Sequence, residues 1–332
     1  MSKGIRYFLL FNCFLFSSVI LLNCRSSSNV VNHNVFAITV PAENKQTEEK
    51  ILLGRKLFFD KRLSLTETIS CSSCHLPEFA FSDRKMVSEG ILGRVTERNS
   101  PSILNAGYLK TVMYDAHLPT LEMQVIVPIQ EHVEMGMDML ALIKKLRDIP
   151  EYQNAAQKIF NRDFDPYVLT RSISAFERSL ISMNSDFDKY YYQNNKRALS
   201  DSERRGWKLF SEKLYCIECH PAPHFTTFFA EKNGSYTLGD KDTGRARVSE
   251  NDSDRGSFKI PSLRNVALTF PYMHHGKLKD LDAVIDFYAN RDTLNRISNK
   301  IIRPFTITNR GRKDLKAFLY SLTDTSYLSN FR

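Results

Sequence analysis

Cys71-Ser-Ser-Cys74-His75 and Cys216-Ile-Glu-Cys219-His220 are two copies of one pattern, C-x-x-C-H, in a chain of 332 residues. In this pattern the two thiols form thioethers with the vinyl groups of a haem, and the histidine binds the iron. A zinc site or a disulfide is the alternative, but zinc ribbons bring their second C-x-x-C pair back after about 15–20 residues, and here the gap is far longer and a histidine follows both pairs. The sequence therefore predicts two haem c groups, attached at Cys71, Cys74, Cys216 and Cys219, with His75 and His220 as iron ligands.

An internal repeat precedes the two motifs, with Gly54-Arg-Lys-Leu-Phe58 before the first and Gly206-Trp-Lys-Leu-Phe210 before the second. Helical spacing of apolar residues dominates elsewhere, as in the segments that Asp138 and Asp165 are predicted to cap. The sequence has no sustained alternation of apolar and polar residues, so it does not indicate a sheet. Residues 231–257, rich in Gly, Asp and Ser, are predicted to be a long surface loop. We therefore expect an all-α protein of two tandem cytochrome c-like domains, each carrying one covalently bound haem.

The N-terminus has the features of an export signal. Residues 1–24 begin with basic residues and contain an apolar run that is too short and wrongly flanked for a membrane span. Leu21-Leu22-Asn23-Cys24 resembles a lipoprotein cleavage box in which Cys24 becomes the lipidated first residue, although a small residue is usual at position 23. An ordinary signal peptide and an uncleaved anchor are the alternatives.

The rest of the chain divides into three predicted parts. Residues 25–46 are polar and form a tether, residues 47–197 form the domain of the first haem, and residues 198–332 form the domain of the second. Haem c is attached outside the bacterial cytoplasm, so we expect a periplasmic protein that a lipid anchors to the membrane.

The net charge of +9 does not predict nucleic-acid binding, because the 46 basic residues are scattered among 37 acidic ones without a basic block. A solvated basic surface is the simpler interpretation. At most it favours the docking of an acidic redox partner.

From Ile51 to Leu322 the chain resembles the bacterial dihaem cytochrome c peroxidases and their relative MauG. The blocks that carry the resemblance are Leu53-Gly-Arg-Lys-Leu-Phe-Phe-Asp60, Ile69-Ser-Cys-Ser-Ser-Cys-His75, Arg98-Asn-Ser-Pro101, Val133-Glu-Met-Gly136, Pro261-Ser-Leu-Arg-Asn265 and Pro271-Tyr-Met-His-His-Gly276. The resemblance implies that the first haem meets hydrogen peroxide, that the second relays electrons from a small donor such as cytochrome c, and that the protein can be a homodimer. A MauG-like enzyme that oxidises a protein substrate is the alternative, and a non-catalytic dihaem electron carrier is an alternative of another class.

The resemblance also implies a peroxide site. Glu134 matches the family's acid–base glutamate, and Gln124 matches the glutamine that assists it. Typical members carry a histidine that blocks the first iron until the second haem is reduced, but no histidine lies between His75 and His117. Unless Met86 or another side chain replaces it, we expect an open iron that needs no reductive priming.

Three further assignments follow from the same resemblance. The second iron is expected to take Tyr288 as its other ligand, with Met273 or an open position as rivals. Tyr114 stands where relatives have a tryptophan between the haems, and either relays electrons or is a packed aromatic residue. A calcium ion is expected at the Asn99 side chain and the carbonyl groups of Thr269 and Pro271.

Overall fold

The computed structural model describes residues 36–290 and 302–331. The predicted signal peptide, Cys24 and the first part of the predicted tether lie outside the described residues. Within those ranges, no helix is long and apolar enough to cross a membrane. The last part of the predicted tether is packed on the protein, since Asn44 is fully buried and its Nδ2 donates to Glu122 Oε1 at 2.7 Å.

Helices dominate the described chain. The α-helices are α1 (Glu48–Phe59), α2 (Leu121–Gln124), α3 (Ile126–Gln130), α4 (Met139–Arg147), α5 (Pro150–Phe160), α6 (Pro166–Ser179), α7 (Asp186–Tyr191), α8 (Asp201–Lys208), α9 (Ala246–Ser249), α10 (Leu281–Ala289) and α11 (Asn309–Ser321). A π-helical turn, Leu209–Lys213, continues α8, and both haem motifs begin in a 3₁₀ turn, Cys71–Ser73 and Cys216–Glu218.

Polar side chains start the helices where the sequence predicts them. The carboxylates of Asp138 and Asp165 accept hydrogen bonds from the backbone N–H groups of Ala141 and Val168, so both predicted caps are confirmed. Pro150 is the first residue of α5. An N–H group at this position has no partner within the helix, so the helix loses no hydrogen bond by having proline there.

The repeated glycines explain how the helices pair. Helix α1 packs on α6 and helix α8 packs on α11. A Cβ atom on Gly54 would lie 1.8 Å from the carbonyl oxygen of Ser172, and one on Gly206 would lie 2.0 Å from that of Asp314. Only glycine therefore allows the two backbones to approach this closely, and the same crossing occurs once before each haem motif.

Two apolar cores surround these helix pairs. The first includes Leu57, Phe58 and Phe176, and the second includes Phe210 and Phe318.

The chain passes between the two cores more than once. Phe187 of α7 belongs to the second core, although it precedes the predicted boundary at residue 197. Tyr327, near the C-terminus, packs in the first core.

A small two-stranded sheet accompanies the helices and corrects the prediction that residues 231–257 form only a surface loop. Strands β1 (Ala230–Lys232) and β2 (Ser257–Lys259) pair antiparallel, with Glu231 opposite Phe258. Each strand has only three residues, which is too short for an alternating pattern to be recognised in sequence. The pairing closes the loop and holds Lys259 and Phe258 at the second haem motif's cavity.

We predict that Gly54→Ala lowers the free energy of unfolding by about 1–3 kcal/mol, because the new methyl group forces α1 away from α6. Gly311→Ala in α11 is the control, since its Cβ would first meet the Ile307 side chain at 3.1 Å, which can shift. That control should stay within about 0.5 kcal/mol of the parent. Urea unfolding measures both, and equal losses would contradict the close crossing.

Candidate haem sites

Each C-x-x-C-H motif borders its own cavity. The first cavity is lined by Cys71, Cys74 and His75 and measures about 50 Å³, and the second is lined by Cys216, Cys219 and His220 and measures about 310 Å³. None of these four cysteines forms a disulfide. Burial raises the pKa of Cys74 to about 11 and that of Cys216 to about 12, so both are neutral thiols at pH 7.

Both motif histidines are oriented in the same way. The Nδ1–H of His75 donates to the carbonyl oxygen of Phe81 at 2.9 Å, and that of His220 donates to the carbonyl oxygen of Phe225, also at 2.9 Å. A carbonyl can only accept, so Nδ1 carries the proton and Nε2 keeps its lone pair for a metal. Burial lowers the pKa of both imidazoles, to about 4 for His220, and so keeps them neutral. These donor sets fit two haem groups with one histidine ligand each.

The predicted acid–base pair lies in the first cavity. Glu134 and Gln124 line it together with His75. Burial, and then the nearby charge of Glu131, raise the pKa of Glu134 to about 7. Gly90 lies against the backbone of the segment that carries Glu134, since a Cβ there would lie 2.0 Å from the Val133 carbonyl oxygen. The first cavity therefore combines a haem motif with a carboxyl group that can both take and give a proton near neutral pH.

A second carboxyl group in the first cavity was not predicted. Glu177 of α6 is 6% exposed, and burial raises its pKa to about 8. Its Oε2 has no hydrogen-bond partner among the described residues. The sequence carries no signal for this position, because Glu177 follows Phe176 in an ordinary amphipathic helix.

The second cavity is lined by both candidate ligands of the second iron, Met273 and Tyr288. The Asn233 Nδ2 lies 3.4 Å from the Met273 Sδ and 3.5 Å from the Tyr288 hydroxyl oxygen. The thioether and the phenol are therefore neighbours around one amide. Asn233 itself follows β1 in the segment that was predicted to be a loop, and sequence reasoning missed it.

A short segment separates the two cavities. Ser100 lines the second cavity, while its hydroxyl group donates to the Cys74 carbonyl oxygen at 2.8 Å and lies 3.4 Å from the His75 Nδ1. Tyr114 also lines the second cavity, and burial raises its pKa above the ordinary value for tyrosine. The guanidinium carbon of Arg98 lies 5.9 Å from the Tyr114 ring centre.

Arg98 in turn joins the two halves of the chain. It forms ion pairs with Asp115 at 2.7 Å and with Asp242 at 2.6 Å. Asp115 is fully buried and also pairs with Arg247 at 2.9 Å. This network holds Tyr114, the residue before Asp115, against the second cavity.

A further repeat becomes visible once the sites are compared. Asn105 and Asn265 both have left-handed backbone, as do Met113 and Met273. Leu121 opens α2 and Leu281 opens α10, so Pro128 and Tyr288 both lie seven residues further on. Pro128 lines the first cavity and Tyr288 lines the second. The two halves therefore present a non-ligating proline and a potential ligand at matching positions.

The other predicted residues divide between the second cavity and the surface. Asn99, Thr269 and Pro271 all line the second cavity, and the backbone N–H of Asn99 donates to the His274 carbonyl oxygen at 2.8 Å. No group of three or more His, Cys, Asp or Glu in residues 36–290 and 302–331 could hold a metal ion. Met86 is 54% exposed and does not line the first cavity.

Known proteins are similar in sequence to most of this chain. Residues 48–197 match the family model of the di-haem cytochrome c peroxidases. The methylamine utilization protein MauG of Methylophilus methylotrophus is 32% identical over 317 residues, covering 93% of each chain. Cytochrome c551 peroxidase of Pseudomonas aeruginosa is 32% identical over 288 residues, covering 83% of this chain and 79% of its own.

A solved structure agrees with these sequence matches. It is a MauG-like protein associated with microbial copper homeostasis, with a TM-score of 0.81 and 33% identity over 88% of this chain and 94% of that one. Together with the two C-x-x-C-H motifs and their oriented histidines, these similarities show that the chain belongs to the di-haem cytochrome c peroxidase family.

Proposed function

We propose that this protein is a dihaem c-type peroxidase that reduces hydrogen peroxide to water with electrons from a small redox protein such as a cytochrome c. The observation that carries the proposal is the first cavity, where Glu134 and Gln124 share one wall with a haem motif. Relatives named cytochrome c551 peroxidase support the same reaction. A non-catalytic electron carrier would have no use for this carboxyl group beside the haem motif.

The residues of the first cavity have separate roles in this reaction. A haem bound there supplies an iron that receives peroxide and passes electrons to it. Glu134 takes the proton from one peroxide oxygen and returns it to the other, which makes water the leaving group. Gln124, with an amide that both donates and accepts, orients peroxide toward that carboxyl group. The complete reaction consumes two electrons and two protons per peroxide.

The first iron is open on its peroxide side in this proposal. Pro128 has no donor atom to offer at the position that matches Tyr288, and the exposed Met86 lies outside the first cavity. The first domain, residues 47–197, therefore binds peroxide without a preceding rearrangement.

The second domain, residues 198–332, stores and relays electrons. We assign Tyr288 as the second ligand of its iron, with Asn233 Nδ2 as a hydrogen-bond donor that holds the phenol oxygen in place. A phenolate ligand stabilises ferric iron, whereas the thioether of Met273 would favour ferrous iron.

A tyrosine-ligated haem suits the oxidation of a protein side chain. A MauG-like activity, the oxidation of a protein substrate, is therefore the second candidate function. The similarity to MauG and to the MauG-like protein associated with microbial copper homeostasis favours it too. Tyr114 is the proposed electron relay between the haems, and its raised pKa makes that transfer dependent on moving the phenol proton.

The remaining assignments concern the surroundings of the enzyme. Asn99, Thr269 and Pro271 are the proposed calcium ligands, which would tie the two cytochrome c-like domains together. The N-terminal signal supports a periplasmic location and a lipid anchor at Cys24. Homodimer formation is proposed from the family resemblance.

Glu134→Gln should lower kcat/KM for peroxide by about 10²-fold or more, because the amide cannot accept the proton. In the parent enzyme kcat/KM should rise as the pH increases through about 7, since the carboxylate form of Glu134 is the active base. Glu131→Gln is the matched control: it removes a negative charge, lowers the pKa of Glu134, and should shift the rise to lower pH with little loss of rate. A steady-state assay across pH measures all three, and an unchanged profile in Glu131→Gln would argue against this base.

Tyr288→Phe and Met273→Leu separate the two candidate ligands. If Tyr288 binds the second iron, Tyr288→Phe should raise that haem's reduction potential and change its low-spin electron paramagnetic resonance signal, whereas Met273→Leu should leave both nearly unchanged. Spectroelectrochemical titration and electron paramagnetic resonance provide the readouts. The reverse pattern would assign the ligand to Met273.

An open first iron should react with peroxide in the fully oxidised protein. Stopped-flow mixing of the oxidised holoenzyme with peroxide should show a haem spectral change without a lag, because no side chain must leave first. Addition of one electron equivalent beforehand should not accelerate this step. A lag that partial reduction removes would contradict the proposed open site.

A further inference from the structure

A line of aromatic side chains runs from the second cavity to the protein surface. Phe210 lines the second cavity, and Trp207 stacks on it with ring centres 6.0 Å apart and planes at 23°. The ring of Tyr191 is centred 5.9 Å from that of Trp207, and Tyr191 is 51% exposed. Trp207 is the only tryptophan in the chain.

The surrounding core holds these rings in fixed positions. The fully buried Phe187 stacks on Tyr191 with ring centres 5.2 Å apart and also contacts Trp207 at 5.1 Å. The ring centre of Phe318 also lies 5.3 Å from that of Trp207. Rings packed in this way cannot reorient freely, so the spacing from Phe210 to Tyr191 is a stable property of the fold.

The chemical order of the rings matches a path for electrons. Tryptophan and tyrosine lose one electron far more easily than phenylalanine, so Trp207 and Tyr191 can be oxidised in turn while Phe210 provides contact with the second cavity. Tyr191 is half exposed, so solvent can accept the proton that must leave with the electron. We propose that Trp207 and Tyr191 carry electrons between the second haem and a one-electron donor protein that is too large to enter the cavity.

This inference rests on the proposed function, which requires two electrons for each hydrogen peroxide. Hydrogen peroxide takes up two electrons and two protons and becomes two waters. An electron leaves Trp207 toward the second haem, and Tyr191 then gives an electron to Trp207 and a proton to solvent. The donor protein returns one electron to Tyr191, which regains its proton, and a second round supplies the second electron.

Tyr215 and Tyr114, which line the second cavity, are less suited to this role. Tyr215 is 44% exposed, but the Arg303 guanidinium lies 4.8 Å from its ring centre, and a positive charge there opposes the removal of an electron. No such cation lies over Trp207 or Tyr191 within the part of the chain that the structure describes. Tyr114 is only partly exposed and is already the proposed relay between the two haems, so it does not lead to a donor at the surface.

The test exposes the holoenzyme to hydrogen peroxide without a donor and locates the oxidised residues by peptide mass spectrometry. Without a donor, the electrons come from the protein, so Trp207 and Tyr191 should be modified ahead of Tyr215 and of Tyr320, which is 50% exposed. In Trp207→Phe, modification of Tyr191 should fall to the level of Tyr320. Tyr191→Phe changes an exposed site. In this variant oxidation products of Trp207 should increase, because no tyrosine returns an electron to oxidised Trp207.

The outcomes distinguish this inference from the proposed function. If the parent holoenzyme removes peroxide but Tyr191 is modified equally with and without Trp207, or if Tyr215 is the main site, the aromatic path is wrong and the peroxidase proposal stands. If the parent holoenzyme removes no peroxide, the proposed function fails and this inference fails with it. Haem content measured on each variant shows that the second site is still loaded.

Discussion

Two hydrogen bonds between imidazole and backbone determine what both sites can do. His75 donates to Phe81 and His220 donates to Phe225, in each case through Nδ1 and at 2.9 Å. Both acceptor residues have left-handed backbone, with φ of 56° and 53°, which turns their carbonyl groups back toward the motif. Each bond selects the tautomer whose Nε2 can bind iron and fixes the plane of the ring. Both cavities, and the residues that face them, are arranged around these two rings.

The two halves of the chain show how one scaffold can support different chemistry. Each half has a glycine-mediated helix crossing, a C-x-x-C-H turn and a helix that faces the haem cavity. In the first half that helix region offers Pro128, which has no ligating side chain, and the loop after it contributes Glu134, the proposed proton carrier of the first cavity. In the second half the matching position is Tyr288, beside Asn233. In the proposed function, a few side chains on equivalent elements therefore distinguish catalysis in the first half from electron storage in the second.

Short sequence patterns predicted much of the fold and of the two candidate sites. The haem motifs and the caps at Asp138 and Asp165 each act within a few residues, and the structure has them where they were expected. The reason for Gly54 and Gly206 was not accessible, because it depends on carbonyl groups of Ser172 and Asp314, more than a hundred residues away. Asn233 and Glu177 escaped prediction for the same reason, because only the folded chain brings each of them to a cavity, and the strands were too short to recognise.

The fixed spacing between the two sites has an electrostatic origin. Asp115 is fully buried, and a buried carboxylate is tolerated only when cations and hydrogen bonds compensate its lost hydration. Arg98 from the first half and Arg247 from the second provide that compensation, and Arg98 also pairs with Asp242. Removing one of these partners would leave a buried charge uncompensated, so the loops that carry them cannot easily separate. Because Tyr114 precedes Asp115, and Ser100 follows Arg98 by two residues, the same ion pairs hold both the proposed relay and the thin segment between the cavities.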